Sequence, residues 1–215
     1  MNRTVLVFAP HNDDEVLGVG GTIAKYVEEG HNVIICEVTA GARKELLQHE
    51  AKNAHHILGV SEEIFLNFET CKLYCADKSN LNDAFSKVIQ RYKPDTVYIP
   101  HYGDMHTDHR VVADAAMVAV RPLVAPFIKR IFAYETLSET EWNTPSVNNC
   151  FIPNVWSDIS KQIGKKITAM ECFESQLLEF PHPRSIRAIS ALAEYRGSTI
   201  GVAAAEAFMC IRYRE

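Results

Sequence analysis

Two short clusters of ionisable residues carry the chemistry this sequence can do. The first, His11-Asn12-Asp13-Asp14-Glu15, puts one imidazole and three carboxylates into five consecutive positions. Groups packed so closely repel or desolvate one another unless a cation lies among them, and a metal ion is the economical counter-charge. Reading the segment as an acidic turn in which Asp13 or Asp14 caps a helix uses a single carboxylate and leaves the histidine unexplained. The second cluster lies in Pro100-His101-Tyr102-Gly103-Asp104-Met105-His106-Thr107-Asp108-His109-Arg110, with three histidines and two aspartates. A histidine, an aspartate and a histidine around one ion leave a fourth position for water, which catalytic zinc requires and structural zinc avoids.

Both clusters follow apolar runs that read as buried strands, Thr4 to Ala9 and Thr96 to Pro100. Between them the chain alternates strand-like runs (Asn32 to Val38, Ile64 to Phe68) with helix-spaced ones (Val16 to Glu29, Lys44 to Leu58, Leu81 to Tyr92), the mark of a parallel sheet covered by helices. Gly30 and Gly59 stop the first two helices, and Pro94 lies just beyond the third. A fourth helix over Asp108 to Val120 and a strand over Ile131 to Tyr134 complete a Rossmann-like α/β half. Both clusters then fall at the carboxyl ends of parallel strands, where open sheets hold their ligands, and they can converge.

Beyond Tyr134 the chain turns polar and irregular to Asn154, then predicts helices near Asp158 to Cys172 and Ser185 to Tyr195 and a last strand over Ala207 to Tyr213. That is a C-terminal α+β extension of the same domain, with residues 1–215 read as one unit. Gly18-Val19-Gly20-Gly21 invites a dinucleotide reading, but Ile23 stands where the third glycine belongs. These glycines are read as close helix-to-sheet packing, and a non-catalytic nucleotide-binding module is the rival of another class. No G-x-S-x-G elbow is present.

The 215 residues are 47% hydrophobic and 23% charged, ordinary for one globular domain, and a net charge of -5 gives no basic field for nucleic acid. Arg121 and Lys129 interrupt the most apolar stretch, and the start is too short for a signal-peptide core, so no stable membrane insertion and a cytoplasmic location are expected. The six cysteines (36, 71, 75, 150, 172, 210) form no zinc-ribbon spacing and read as reduced thiols.

On these residues the sequence resembles the PIG-L/LmbE de-N-acetylase family. The family's H-P-D-D-E is matched by His11 to Glu15, the following G-G by Gly20-Gly21, and its H-x-D-H by His106 to His109. Thr39-Ala40-Gly41, Glu50-Ala51, Leu58-Gly59, Ser175-Gln176, His182-Pro183-Arg184-Ser185 and Ala205-Glu206-Ala207-Phe208 agree in order along nearly the whole chain. The resemblance implies an LmbE-like fold and a zinc-dependent hydrolase, with another divalent transition metal as the variant, that removes acetyl from an N-acetylglucosamine-type sugar or glycoconjugate. It implies that His11, Asp14 and His109 bind the metal and that Asp13 is the general base. By the same resemblance His106, charged and oriented by Asp108, stabilises the oxyanion or protonates the leaving amine. Asp104 and Arg184 are candidate substrate contacts, and a homo-oligomer is implied. Asn12 replaces the family proline and Leu47 a frequent arginine. An amidase cleaving a larger thiol-sugar conjugate is the rival within hydrolases.

Overall fold

The computed structural model describes residues 2–215. Seven strands form one sheet: β1 (Thr4–Ala9), β2 (Asn32–Ala40), β3 (Glu62–Glu69), β4 (Thr96–Pro100), β5 (Arg130–Tyr134), β6 (Val155–Asp158) and β7 (Ala205–Tyr213), in the order β3-β2-β1-β4-β5-β7-β6. The first five run parallel, whereas β7 pairs antiparallel with β5 and with β6. Six helices cover it: α1 (Asp14–Glu28), α2 (Lys44–Leu58), α3 (Lys78–Tyr92), α4 (Thr107–Ala119), α5 (Ile163–Glu171) and α6 (Ile186–Ser198). This is the Rossmann-like, mostly parallel arrangement that the alternating pattern predicts.

The apolar strand runs are explained by burial on both faces. Leu6 and Phe8 of β1 face one core with Phe85 and Ile89 of α3 and Val112 of α4, while Val5 and Val7 face the other with Val16, Val19 and Ile23 of α1 and Leu58 of α2. The glycines of α1 serve this second contact. A methyl group on Gly18 would overlap the Tyr134 ring, and one on Gly21 would lie 2.6 Å from Ile159 Cδ1. No space is left there for a phosphate, so the dinucleotide reading has no structural support.

Two differences from the sequence reading concern the second half. Strand β6 falls where only irregular chain and a helix start are expected, and α5 begins at Ile163 rather than Asp158. The four residues of β6 are at most half-buried at the sheet edge, so they carry neither an apolar run nor a clean alternation. The feature that positions chemistry is β1, whose two neighbours are β2 on one side and β4 on the other. The chain order reverses there, which opens a crevice at the carboxyl ends of β1 and β4.

Candidate active site

Both clusters open into that crevice. After β1 the chain turns through Pro10 to Asp13, whose carbonyl accepts from the N–H groups of Val16 and Leu17 to start α1. After β4 it loops to His106, which caps α4 by accepting the Asp108 N–H at its Nδ1 (3.1 Å). Three side-chain atoms then meet: His11 Nδ1 and His109 Nε2 each lie 3.1 Å from Asp14 Oδ2 and 3.3 Å from one another. A tetrahedral zinc with bonds of roughly 2.0–2.1 Å has ligand-to-ligand edges of about 3.3 Å. Asp14 Oδ1, fully buried beside them, has no hydrogen-bond partner. The donor set, its spacing and the orphaned oxygen all fit a small divalent ion.

The two histidines are held from behind. Asp104 Oδ2 lies 2.8 Å from His109 Nδ1 and its Oδ1 accepts from Thr140 Oγ1 at 2.7 Å, which places the His109 proton on Nδ1 and turns the Nε2 lone pair to the cluster. Asp108 Oδ2 lies 3.3 Å from His11 Nε2, and its carboxylate also accepts from the N–H groups of Cys71 and Leu73. Burial opposes charge on both imidazoles, but these carboxylates and Asp14 outweigh it, raising His11 to about 9 and His109 to about 10 in the metal-free protein. A cation bound between the two rings would displace these protons.

Three expectations are corrected by this layer. Asp104 is not a substrate contact, because it is completely buried with both oxygens engaged. The Asp108 carboxylate does not orient the His106 ring. It faces His11, and only its backbone N–H reaches His106. Nor is His106 cationic. Its burial, followed by the nearby His11 and His109, lowers it to about 4. With Nδ1 accepting, the proton of the neutral ring sits on Nε2. The ring packs edge-on against His11, centroids 4.4 Å apart.

Asp13 turns away from Asp14. Its Oδ2 accepts from Arg184 Nη1 at 2.9 Å, and the same guanidinium donates to Ser138 Oγ (2.8 Å) and Gln176 Oε1 (3.3 Å) and lies 3.7 Å from Glu139. Burial raises Asp13 to about 6, against the opposing charge of Arg184. Asp14, despite equal burial, is held well below the carboxylate range by His109 and His11. Arg184 thus holds Asp13 while also lining the cavity. Glu139 and Gln176 escape sequence reasoning: Glu139 belongs to no motif, and Ser175-Gln176 shows only as a family likeness. His101, bonded to the Asn149 carbonyl (3.1 Å), is a structural group.

These side chains line a cavity of about 310 Å³ that opens between the two strand ends. Its lining includes His11, Asp13 and His106 together with Arg184, Gln176, Glu139, Arg43 and Leu47. Asn12 also lines it, with its Nδ2 unpartnered.

The chain is similar to known proteins along most of its length. The PIG-L family model, GlcNAc-PI de-N-acetylase, matches residues 6–120. An uncharacterized deacetylase of Escherichia coli (strain K12), YaiS, is 30% identical over 172 residues, covering 74% of this chain and 84% of its own. A probable N-acetyl-alpha-D-glucosaminyl L-malate deacetylase 2 of Bacillus cereus is 28% identical over 204 residues, covering 86% and 90%. The crystal structure of the conserved protein TT1542 from Thermus thermophilus superposes with a TM-score of 0.81 at 28% identity, over 99% of this chain and 96% of that one.

Proposed function

The chain belongs to the PIG-L family of de-N-acetylases and is a hydrolytic deacetylase, and we propose that it works as a zinc-dependent enzyme on an N-acetylglucosamine-type sugar or sugar conjugate. The observation that carries the metal dependence is the near-equilateral triangle of His11 Nδ1, Asp14 Oδ2 and His109 Nε2 at tetrahedral-edge spacing. A zinc ion bound by these residues supplies Lewis acidity, polarising the acetamide carbonyl and acidifying the attacking water.

The remaining work falls to side chains that line the cavity. Asp13, ionised at neutral pH yet basic for an aspartate, accepts the proton that water loses on attack. The same proton then passes from Asp13 to the departing amine, since a carboxyl group with a pKa of about 6 is a competent acid once protonated. His106, lowered to about 4 by its burial and the neighbouring imidazoles, suits hydrogen-bond donation to the oxyanion better than proton transfer. Arg184 keeps Asp13 ionised and in place.

The sugar rests on the relatives and on the shape of the cavity, which has the volume and mixed polarity of a small-molecule site. Zinc rather than another divalent metal, a cytoplasmic location and a homo-oligomeric state belong to the same reading. Among the described residues all six cysteines are unpaired, and no helix is long and apolar enough to cross a membrane.

The test is acetate release from N-acetylglucosamine conjugates, including sugar nucleotides and malate and inositol glycosides, in the presence of zinc. Stoichiometric acetate and free amine are expected, with Asp13→Asn retaining the metal but losing at least about a hundredfold in rate. A bulkier acid in place of acetate would make the enzyme an amidase, and full turnover by Asp13→Asn would remove the base assigned here.

A further inference from the structure

Directly behind the site, a second group of side chains is buried without an evident counter-charge. Glu15 follows the ligand Asp14 in the first turn of α1, Glu37 lies on β2 opposite Ala9, and His55 belongs to the last turn of α2. Glu15 and Glu37 are wholly buried and His55 nearly so. His55 Nε2 lies 3.1 Å from Glu15 Oε1 and 3.5 Å from Glu37 Oε1, and its Nδ1 lies 2.7 Å from Oε2 of Glu63 on β3. Neither oxygen of Glu37 has a hydrogen-bond partner, nor has Glu15 Oε2.

Two buried carboxylates facing one imidazole balance only when one of them is neutral or a further cation joins them. Burying an anion requires pairing and hydrogen bonds, and three of these four oxygens have none. Even a fully charged His55 supplies one positive charge to two carboxylates and spends its outer N–H on Glu63.

From this geometry we propose that His55, Glu15 and Glu37 form a second divalent-metal site, structural rather than catalytic. One neutral imidazole, two carboxylates and a doubly charged ion sum to zero. The 3.1 and 3.5 Å separations bracket the edge of a tetrahedral site. Glu63, accepting from His55 Nδ1, fixes the tautomer that aims the Nε2 lone pair at the two carboxylates, the support that metal-bound histidines receive. A single nitrogen and two oxygens suit zinc or another first-row divalent ion. His55, Glu63 and Lys52 also line a surface depression. An ion in the second site ties the start of α1, which carries Asp13 and Asp14, to β2 and α2.

Metal content tests this. Zinc-loaded, desalted protein should hold two ions per chain by mass spectrometry, Glu37→Gln one and His11→Ala one. X-ray absorption of the ion left when His11→Ala and His109→Ala are combined should show one imidazole among oxygen ligands, which the first site, reduced to Asp14, could not supply. Should Glu37→Gln fail to fold by circular dichroism, the His11→Ala protein still decides: absence of any ion there overturns the proposal. One ion in the wild type, lost in His11→Ala, overturns it equally and leaves His55 a charged partner of the glutamates. One ion lost in Glu37→Gln but kept in His11→Ala upholds the second site and removes the metal from the first. No retained ion in the wild type overturns both.

Discussion

Asp13 and Asp14 are chain neighbours, equally buried, and their carboxyl groups titrate in opposite directions. Asp14 faces two imidazoles and stays ionised, whereas Asp13 faces one guanidinium and is left near 6 by its burial. A base must be ionised to accept a proton, so kcat/KM should be flat above about pH 6 and fall about tenfold per pH unit below it. Arg184 lowers the Asp13 pKa, so Arg184→Ala should move this limb to higher pH, which a pH-rate profile would show. A limb left in place would mean that Asp13 is not the titrating group. Behind the ligands, Asp104→Ala removes the acceptor that fixes the His109 tautomer and should weaken metal binding about 10- to 100-fold, measured by chelator competition. Unaltered affinity would return Asp104 to a packing role. The donor types were legible in His11 to Glu15 and His106 to His109, because so many ionisable groups at strand ends need a common partner. The tasks of Asp104 and Asp108 were not, since spacing places an aspartate near a ligand without fixing which atoms its carboxylate meets.

The elements of the parallel half were readable because burial on both strand faces gives continuous apolar runs and each helix ends on a recognisable stop. Gly59, at φ 80°, is such a stop, and Asp77 starts α3 by accepting from the Ser79 and Asn80 N–H groups. Strand β6 was hidden because an edge strand of four partly exposed residues leaves no periodic signal. The glycines of α1 tested the sequence reading most directly. They look like part of a phosphate fingerprint, but Gly18 and Gly21 let the helix settle against Tyr134 and Ile159. Tyr134 cannot simply yield, since it is fully buried and its hydroxyl donates to the Phe8 carbonyl at 2.8 Å. Gly21→Ala, with its methyl 2.6 Å from Ile159, should cost about 1–3 kcal/mol by overpacking, despite the better helix propensity of alanine. Urea unfolding would measure it, and a more stable variant would show that α1 can move off the sheet.

At the scale of the whole molecule, the site is assembled from segments far apart in the chain. The proposed metal ligands lie between residues 11 and 109, yet the residue that holds Asp13 is Arg184, 171 positions further on. No local pattern announces such a contact, because it depends on how the C-terminal helices dock against α1. Part of that docking is visible in one buried ion pair. Lys166 of α5 donates to Glu206 Oε1 of β7 at 2.6 Å and to the Leu17 carbonyl of α1 at 2.7 Å. Glu206 in turn accepts from the Gly21 and Thr22 N–H groups of α1 at 2.9 and 2.8 Å. The family-like Ala205-Glu206-Ala207-Phe208 segment therefore braces the helix that Asp13 precedes and Asp14 begins. Replacing such a pair by apolar residues can be neutral, but removing one partner strands the other charge. Lys166→Met leaves Glu206 buried with two backbone donors and no cation, which should cost about 3–5 kcal/mol. The denaturation midpoint should fall with an unchanged urea m-value, because the folded core and the unfolded chain expose the same surface as before. A variant as stable as the parent would show that the helix N–H groups alone carry Glu206, and that α1 is fixed to the sheet by its glycine contacts rather than by this pair.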